Sequence, residues 1–104
     1  MESSIIVRDD PDRHRFEIVL DGTTAGFAVY HQRGGRYFFV HTEIADEYEG
    51  RGLGSALARG ALDKVRARSA TVIPLCPFIA GWIDKHPEYD DLVDHELLAT
   101  LSTD

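Results

Sequence analysis

The chain is predicted to fold as one α/β domain: an antiparallel meander of four strands, then a strand-helix-strand-helix half on the same mixed sheet. Three observations carry this prediction. The first half reads as short β-prone runs separated by turns, with the strand period of two clear in "RHRFEIVLDG" and "RYFFVHTEI". From Gly52 to about Arg68 the period becomes that of an amphipathic helix. A compact apolar run, "ATVIPLC", then returns the chain to a strand. At 104 residues this is the size of one domain, and the prediction assigns 1–104 to it.

The elements follow in order. "SIIVRD" is a short β-prone run closed by Asp10-Pro11. "RHRFEIVLDG" puts Phe16, Ile18 and Leu20 on one face and stops at Asp21-Gly22, a good turn pair. "TTAGFAVYH" is the third strand, and "RGG" at 33–35 turns the chain. In the fourth, "RYFFVHTEI", alternation groups Phe38, Val40, Thr42 and Ile44 on one face, with Tyr37, Phe39, His41 and Glu43 on the other. The helix after it gathers Leu53, Ala56, Leu57, Gly60, Ala61 and Val65 near one stripe. The strand-helix-strand stretch from 36 to 75 is expected to be a right-handed parallel crossover. Pro77 suits the first position of a further helix, with Phe78, Ile79, Trp82 and Ile83 as its apolar face and His86-Pro87 as its end. Leu92, Val93, Leu97 and Leu101 permit a last helix within 90–104.

Charge and composition exclude some functions. Lysine and arginine number 11 against 18 acidic residues, a formal charge of -7, which argues against a nucleic-acid platform. A single cysteine, Cys76, rules out an intramolecular disulfide. No charged-then-apolar leader opens the sequence, and no apolar run approaches the roughly 18 residues of a membrane span, so a cytoplasmic location away from membranes is expected. His14 and His31 have no metal-like spacing, and no metal site is predicted.

The most informative stretch is "YEGRGLGSALARGALDKVRAR", where Gly50, Gly52 and Gly54 open a helix-forming run. Each glycine inside a helix costs roughly 1 kcal/mol against alanine. A glycine-rich turn between strand and helix lets backbone amides close on an anion, and the helix start adds unpaired N–H groups and a positive dipole end. A P-loop would need a lysine after the last glycine, and Ser55-Ala56 stand there instead. A Rossmann fingerprint fails as well, because its third glycine would fall on Ser55 or Leu57.

The turn resembles the acyl-CoA-binding turn of the GNAT acetyltransferase superfamily, Arg/Gln-x-x-Gly-x-Gly/Ala, here Glu49-Gly50-Arg51-Gly52-Leu53-Gly54. More narrowly, "HTEIADEYEGRGLGSALARGALD" with "VIPLCPFIAGWIDKHPEY" is similar to the compact GNAT-like domains of about a hundred residues, over roughly 36 to 89. The resemblance implies a GNAT-like mixed sheet and acetyl-CoA as co-substrate. Amides from Gly50 through Arg51, Gly52, Leu53 and Gly54 to Ser55 would hold the pyrophosphate, with Arg51 adding charge. The strand edge at Thr42, Glu43 and Ile44 would pair with the pantetheine arm where the fourth and fifth strands splay apart. Three departures are visible. Glu49 stands where the family usually has arginine or glutamine. The helices between the first two strands are missing, which leaves the acceptor site open or completed by a partner. The tyrosine that often serves as general acid on the last helix has no clear counterpart.

Acetyl transfer to an amine needs a deprotonated amine, a polarised thioester carbonyl and a proton for the leaving thiolate. Glu43 and His41 share a strand face beside the expected thioester and are candidate bases; the alternative is that both are merely solvated. Cys76 ends the facing strand just before a helix start, a position that favours thiolate chemistry. It is a candidate for an acetyl-cysteine intermediate or for a thiol that assists transfer, or else it is a small buried hydrophobe. Lys85 and His86 are read as complements to a helix C-terminus, and Trp82 as core. The expected function is an acetyl-CoA-dependent N-acetyltransferase acting on a small amine or a lysine side chain, the acidic chain suiting a cationic acceptor. A non-catalytic acyl-CoA-binding module is the alternative.

Overall fold

The computed structural model describes residues 4–102; residues 1–3 and 103–104, the extremes of the predicted domain and of its last segment, lie outside the described residues. The strands are β1 (Ile5–Asp10), β2 (Arg15–Leu20), β3 (Thr23–Arg33), β4 (Arg36–Ile44) and β5 (Thr71–Pro74). They lie side by side in chain order, antiparallel up to β4 and parallel between β4 and β5. The helices are α1 (Leu53–Ala67), α2 (Pro77–Lys85) and α3 (His95–Ser102). The mixed α/β architecture is the predicted one.

Two-residue turns set the meander. Asp21 and Gly22 both have positive φ, 48° and 84°, as a tight hairpin with the strands' own twist requires. Gly34-Gly35 joins β3 to β4 in the same number of residues. One face of the sheet is closed by α1 and α2. There Phe16, Tyr30, Tyr37 and Phe39 pack ring on ring at 5.0–6.3 Å between centroids. Leu57, Ala58, Ala61, Leu62 and Val65 of α1 cover them. At Gly60 a Cβ would stand 2.6 Å from Val7, so glycine is what lets α1 approach β1.

A polar strap ties the end of α1 to the sheet. Tyr30 donates to Asp9 at 2.7 Å, and Arg68 donates to Asp9 at 2.9 Å and to the Tyr37 hydroxyl at 2.7 Å. Burial, then the hydrogen bond to the Asp9 carboxylate, pushes the Tyr30 hydroxyl well above the ordinary tyrosine range.

Among the described residues no helix covers the other face over β2 and β3. Glu17 is buried on it, bonded by Arg8 at 3.0 Å and Arg15 at 2.8 Å. Burial pushes this carboxyl up, but the two guanidinium groups outweigh it and hold it below the usual range. The free edge of β5 is occupied by Val93, and the Asp94 amide donates to the Val72 carbonyl at 3.0 Å. Asp94 caps α3 through the Leu97 amide and accepts from Arg36.

Candidate functional site

The site is built around the end of β4. Its first part is paired on both sides: Arg36–Phe39 matches Thr71–Pro74 in register on β5. One more link follows, from the Cys76 amide to the Phe39 carbonyl at 2.8 Å. Beyond it the two strands part, and β4 from Val40 to Ile44 keeps only its β3 partner. The unpaired edge includes Thr42, Glu43 and Ile44.

A β-bulge falls at the same place. Val29 of β3 stands opposite His41 while its neighbour Tyr30 stands opposite Phe39, so Val40 is an extra residue. The inserted residue reverses the side-chain phase, which corrects the face assignment made from alternation. Tyr37 and Phe39 are in the core, but His41 and Glu43 lie on the opposite, open face, where the His41 ring meets Phe27 at 6.3 Å. Thr42, opposite buried Ala28, turns inward instead, and so does Ile44, which packs against the core. Strict alternation cannot reveal a bulge, because the extra residue is defined only by the strand it pairs with.

Across the gap, Cys76 is the N-cap residue of α2 and is buried. Its Sγ lies 3.4 Å from the Thr42 hydroxyl. The thiol and the hydroxyl therefore meet on the inner side of the opening. On the outer side His41 Nε2 and Glu43 Oε1 are 3.2 Å apart, with side chains 58% and 61% exposed. His41, Thr42, Glu43 and Cys76, from β4 and the start of α2, thus divide into two pairs, one on each side of the sheet.

The glycine turn follows β4 through a short 3-10 turn, Asp46–Tyr48. Gly50 and Gly52 have φ of 82° and 74°, left-handed backbone that other residues adopt at a cost of about 1–2 kcal/mol. Gly52 is the N-cap of α1, and no side chain caps that helix start. The first amides of α1, from Leu53 to Ser55, are thus left at the positive end of a 15-residue helix. Gly54 has a different cause: a Cβ there would stand 2.9 Å from the Phe78 ring. Phe78 is 43% exposed, against the expectation that it lines the buried face of α2 with Ile79, Trp82 and Ile83.

The remaining side chains sort plainly. Arg51 is exposed, with its guanidinium 5.7 Å from the Tyr48 ring. Glu49 is exposed and does not cap α1. The Ser55 hydroxyl accepts from Trp82 Nε1 at 2.8 Å, which fastens α2 to the first turn of α1. Trp82 is core. His86 stacks on Trp82 at 3.8 Å and donates through Nδ1 to its carbonyl at 2.7 Å, so it does serve the end of α2. Tyr89 is buried and donates to Asp63 at 2.7 Å, a packing role.

One feature escaped sequence reasoning. A groove of about 670 Å3 lies on the open face, lined by residues from β3, β4 and the segment after β5, Leu75 among them. His14 and His31 both face it, although they are 17 positions apart, and no periodicity joins them. Among the described residues no group of three or more His, Cys, Asp or Glu side chains is placed to hold a metal. No described helix is long and apolar enough to cross a membrane.

Comparison with known proteins agrees with this geometry. The profile described as GCN5-related N-acetyl-transferase matches residues 15–92. The chain is 29% identical over 85 residues to Protein NATD1 of Mus musculus, covering 80% of this chain and 77% of that protein. Protein NATD1 of Homo sapiens is likewise 29% identical over 85 residues, covering 80% and 75%. Among solved structures, a GCN5-like putative N-acetyltransferase from Staphylococcus aureus shares the fold, with a TM-score of 0.65 and 21% identity over 85% of this chain and 86% of that one.

Proposed function

The chain belongs to the GCN5-related N-acetyltransferase family, and from that premise we propose that it is an acetyl-CoA-dependent N-acetyltransferase acting on a primary amine. The observation that carries this reading is the coincidence, at one end of the sheet, of the parted β4 and β5 edges with the uncapped start of α1. The amides of Leu53, Gly54 and Ser55, with the left-handed turn at Gly50 and Gly52, suit a pyrophosphate. Arg51 adds a positive charge there. The free edge at Thr42, Glu43 and Ile44 offers a ladder of hydrogen bonds to an amide-bearing arm.

Acetyl-CoA supplies the activated acetyl thioester. In the net reaction the C–S bond breaks and a C–N bond forms, and one proton leaves the amine nitrogen and ends on the CoA sulfur. His41, with Nε2 held by Glu43, takes the proton on the open face. Cys76 stands on the inner side, where its S–H, partnered by Thr42, gives a proton to the departing sulfur; the solvent-exposed His41 then releases its proton to water and water returns one to Cys76, so that the net transfer is from amine to sulfur. This divides base and acid between the two sides of the opening. Calorimetric titration with acetyl-CoA, against ATP and NAD as controls, tests the binding half. Release of CoA thiol with amines in His41→Ala, Glu43→Gln and Cys76→Ala tests the chemistry. Heat confined to CoA species, and turnover lost in the variants with that heat retained, is the expected result. Wild-type turnover in all three variants would remove the catalytic assignments.

A second reading is a domain that binds acyl-CoA without turnover. It is favoured by the exposure of the His41–Glu43 pair, whose side chains are more than half open to water. Acetyl-CoA binding with no thiol release for any amine would select it.

A further inference from the structure

Resting on the transferase reading, we infer that the groove on the open face is the acceptor subsite and takes a primary amine whose far end is an anion, a carboxylate or a phosphate, joined through an apolar stem. The argument is local charge set against global charge. The chain as a whole carries -7, which by itself favours a cationic acceptor. The groove reverses that sign. Its lining contains no carboxylate; Phe38, Val40 and Leu75 supply apolar surface, and His14, His31 and Arg33 supply cationic or donor groups. At about 670 Å3 it has the size of small-molecule sites.

Arg33 is unusual among the arginines of this acidic chain. Arg8 and Arg15 are paired with Glu17, Arg13 with Asp10, Arg36 with Asp94, Arg66 with Asp91 and Arg68 with Asp9. Arg59 bonds the Tyr89 hydroxyl. Among the described residues Arg33 and Arg51 alone of the arginines have neither an ion pair nor a hydrogen bond from the side chain. Arg51 borders the turn that suits a pyrophosphate. Arg33 borders the groove, and in a chain with 18 acidic residues no carboxylate has been placed against it. Both uncommitted guanidinium groups thus stand where an incoming anion is required.

The groove also points the amine correctly. Val40 and Leu75 flank the place where β4 and β5 part, next to the last link between Cys76 and Phe39. Arg33 stands at the other end, opposite Arg36 in the hairpin. Four residues of strand separate Arg36 from Val40, roughly 13 Å at the usual rise. A stem of several methylenes over Phe38 spans what the arginine side chain does not. The amine then arrives at the opening, one residue from His41, with its anion at Arg33. The bond changes are those of the proposed transfer, with no further reactant.

Matched acceptors test this: 6-aminohexanoate and 5-aminopentyl phosphate against 1,6-diaminohexane. Without acetyl-CoA, a 15N NMR titration of the whole chain with each amine reads binding alone. The anionic amines are expected to shift resonances at 31–33 and 38–40, and the diamine is not. The stronger of the two anions identifies the headgroup. With acetyl-CoA, thiol release should favour the anionic acceptors. Arg33→Gln should raise their KM about tenfold with little change in kcat, the loss of one charge-assisted contact. Arg33→Lys should restore most of it, and Arg33→Glu should turn the preference toward 1,6-diaminohexane. Acetyl-CoA affinity measured on each variant reports that the chain is folded. Preference for the diamine, or shifts away from the groove, would overturn the inference while leaving the transferase reading intact. Groove binding without any acetyl-CoA binding would overturn the transferase reading, and with it the acceptor role of the groove, leaving only a site for anionic amines.

Discussion

The two halves of β4 differ in both residues and pairing. From Arg36 to Phe39 the strand is hydrogen-bonded on both edges, and its Tyr37 and Phe39 rings are buried under α1. From Val40 to Ile44 it has lost its β5 partner, carries an extra residue, and presents His41 and Glu43 to solvent on one side and Thr42 to Cys76 on the other. A ladder satisfies backbone groups within the protein; a strand that gives up one edge holds those groups ready for a ligand. The first half therefore has its hydrogen bonds met on both edges within the fold, and the second leaves one edge unpaired.

Substitutions that separate stability from binding test this contrast. The largest expected effect is Phe39→Ala in the paired half, about 3–5 kcal/mol of lost stability for a fully buried ring. Against a total of roughly 5–15 kcal/mol for a domain, urea unfolding should show a protein close to its limit. A midpoint near wild type would mean that the paired half is not the anchor. Next is Gly52→Ala, which forces a side chain into left-handed backbone at the start of α1. The expected cost is about 1–2 kcal/mol, with acetyl-CoA affinity down about tenfold or more by calorimetry; unchanged affinity would detach the turn from the ligand.

Thr42→Val is a smaller perturbation, expected to change stability by no more than about 1 kcal/mol. It removes the hydroxyl that meets Cys76 and should slow thiol release while acetyl-CoA still binds. A variant with wild-type turnover would sever that pair from the chemistry. The smallest effect is a pH dependence tied to the paired half. The Leu97 amide, then Arg36 at the start of β4, holds the Asp94 carboxyl below the ordinary range. A depressed carboxyl stabilises the fold above its unfolded pKa of about 4 and loses that contribution as pH falls through the folded value. Asp94→Asn should flatten the acid side of the melting-temperature profile below about pH 4. A profile superimposing on wild type would show that Asp94 contributes nothing there.

Most of the fold was legible because its signals are local. The Asp21-Gly22 and Gly34-Gly35 turns are two residues long and set the hairpins by chemistry alone. The predicted fourth strand, 36–44, matches the observed one, and α1 begins and ends within a residue of its predicted limits. Phe78 misled because its position on the α2 wheel is apolar while its neighbour, Gly54, is distant in sequence. His41 and Glu43 were correctly kept together, since two positions on a strand share a face. They were wrongly joined to Tyr37 and Phe39 because the bulge intervenes.

The candidate site divides along the same line. Gly50, Gly52 and Gly54 at the mouth of a helix are a covalent pattern, so the glycine turn that opens α1 could be placed from sequence alone. The meander and the parallel crossover followed from spacing and composition in the same way. Tertiary structure alone decided three things: where the strands that the resemblance expected to splay do part, after Phe39; that Thr42 and Cys76 meet within 3.4 Å; and that Arg33 remains unpaired beside a groove. Each depends on which residues distant in sequence become neighbours. Sequence periodicity records a residue's own element, whereas pairing, gaps and unmet charges belong to the space between elements.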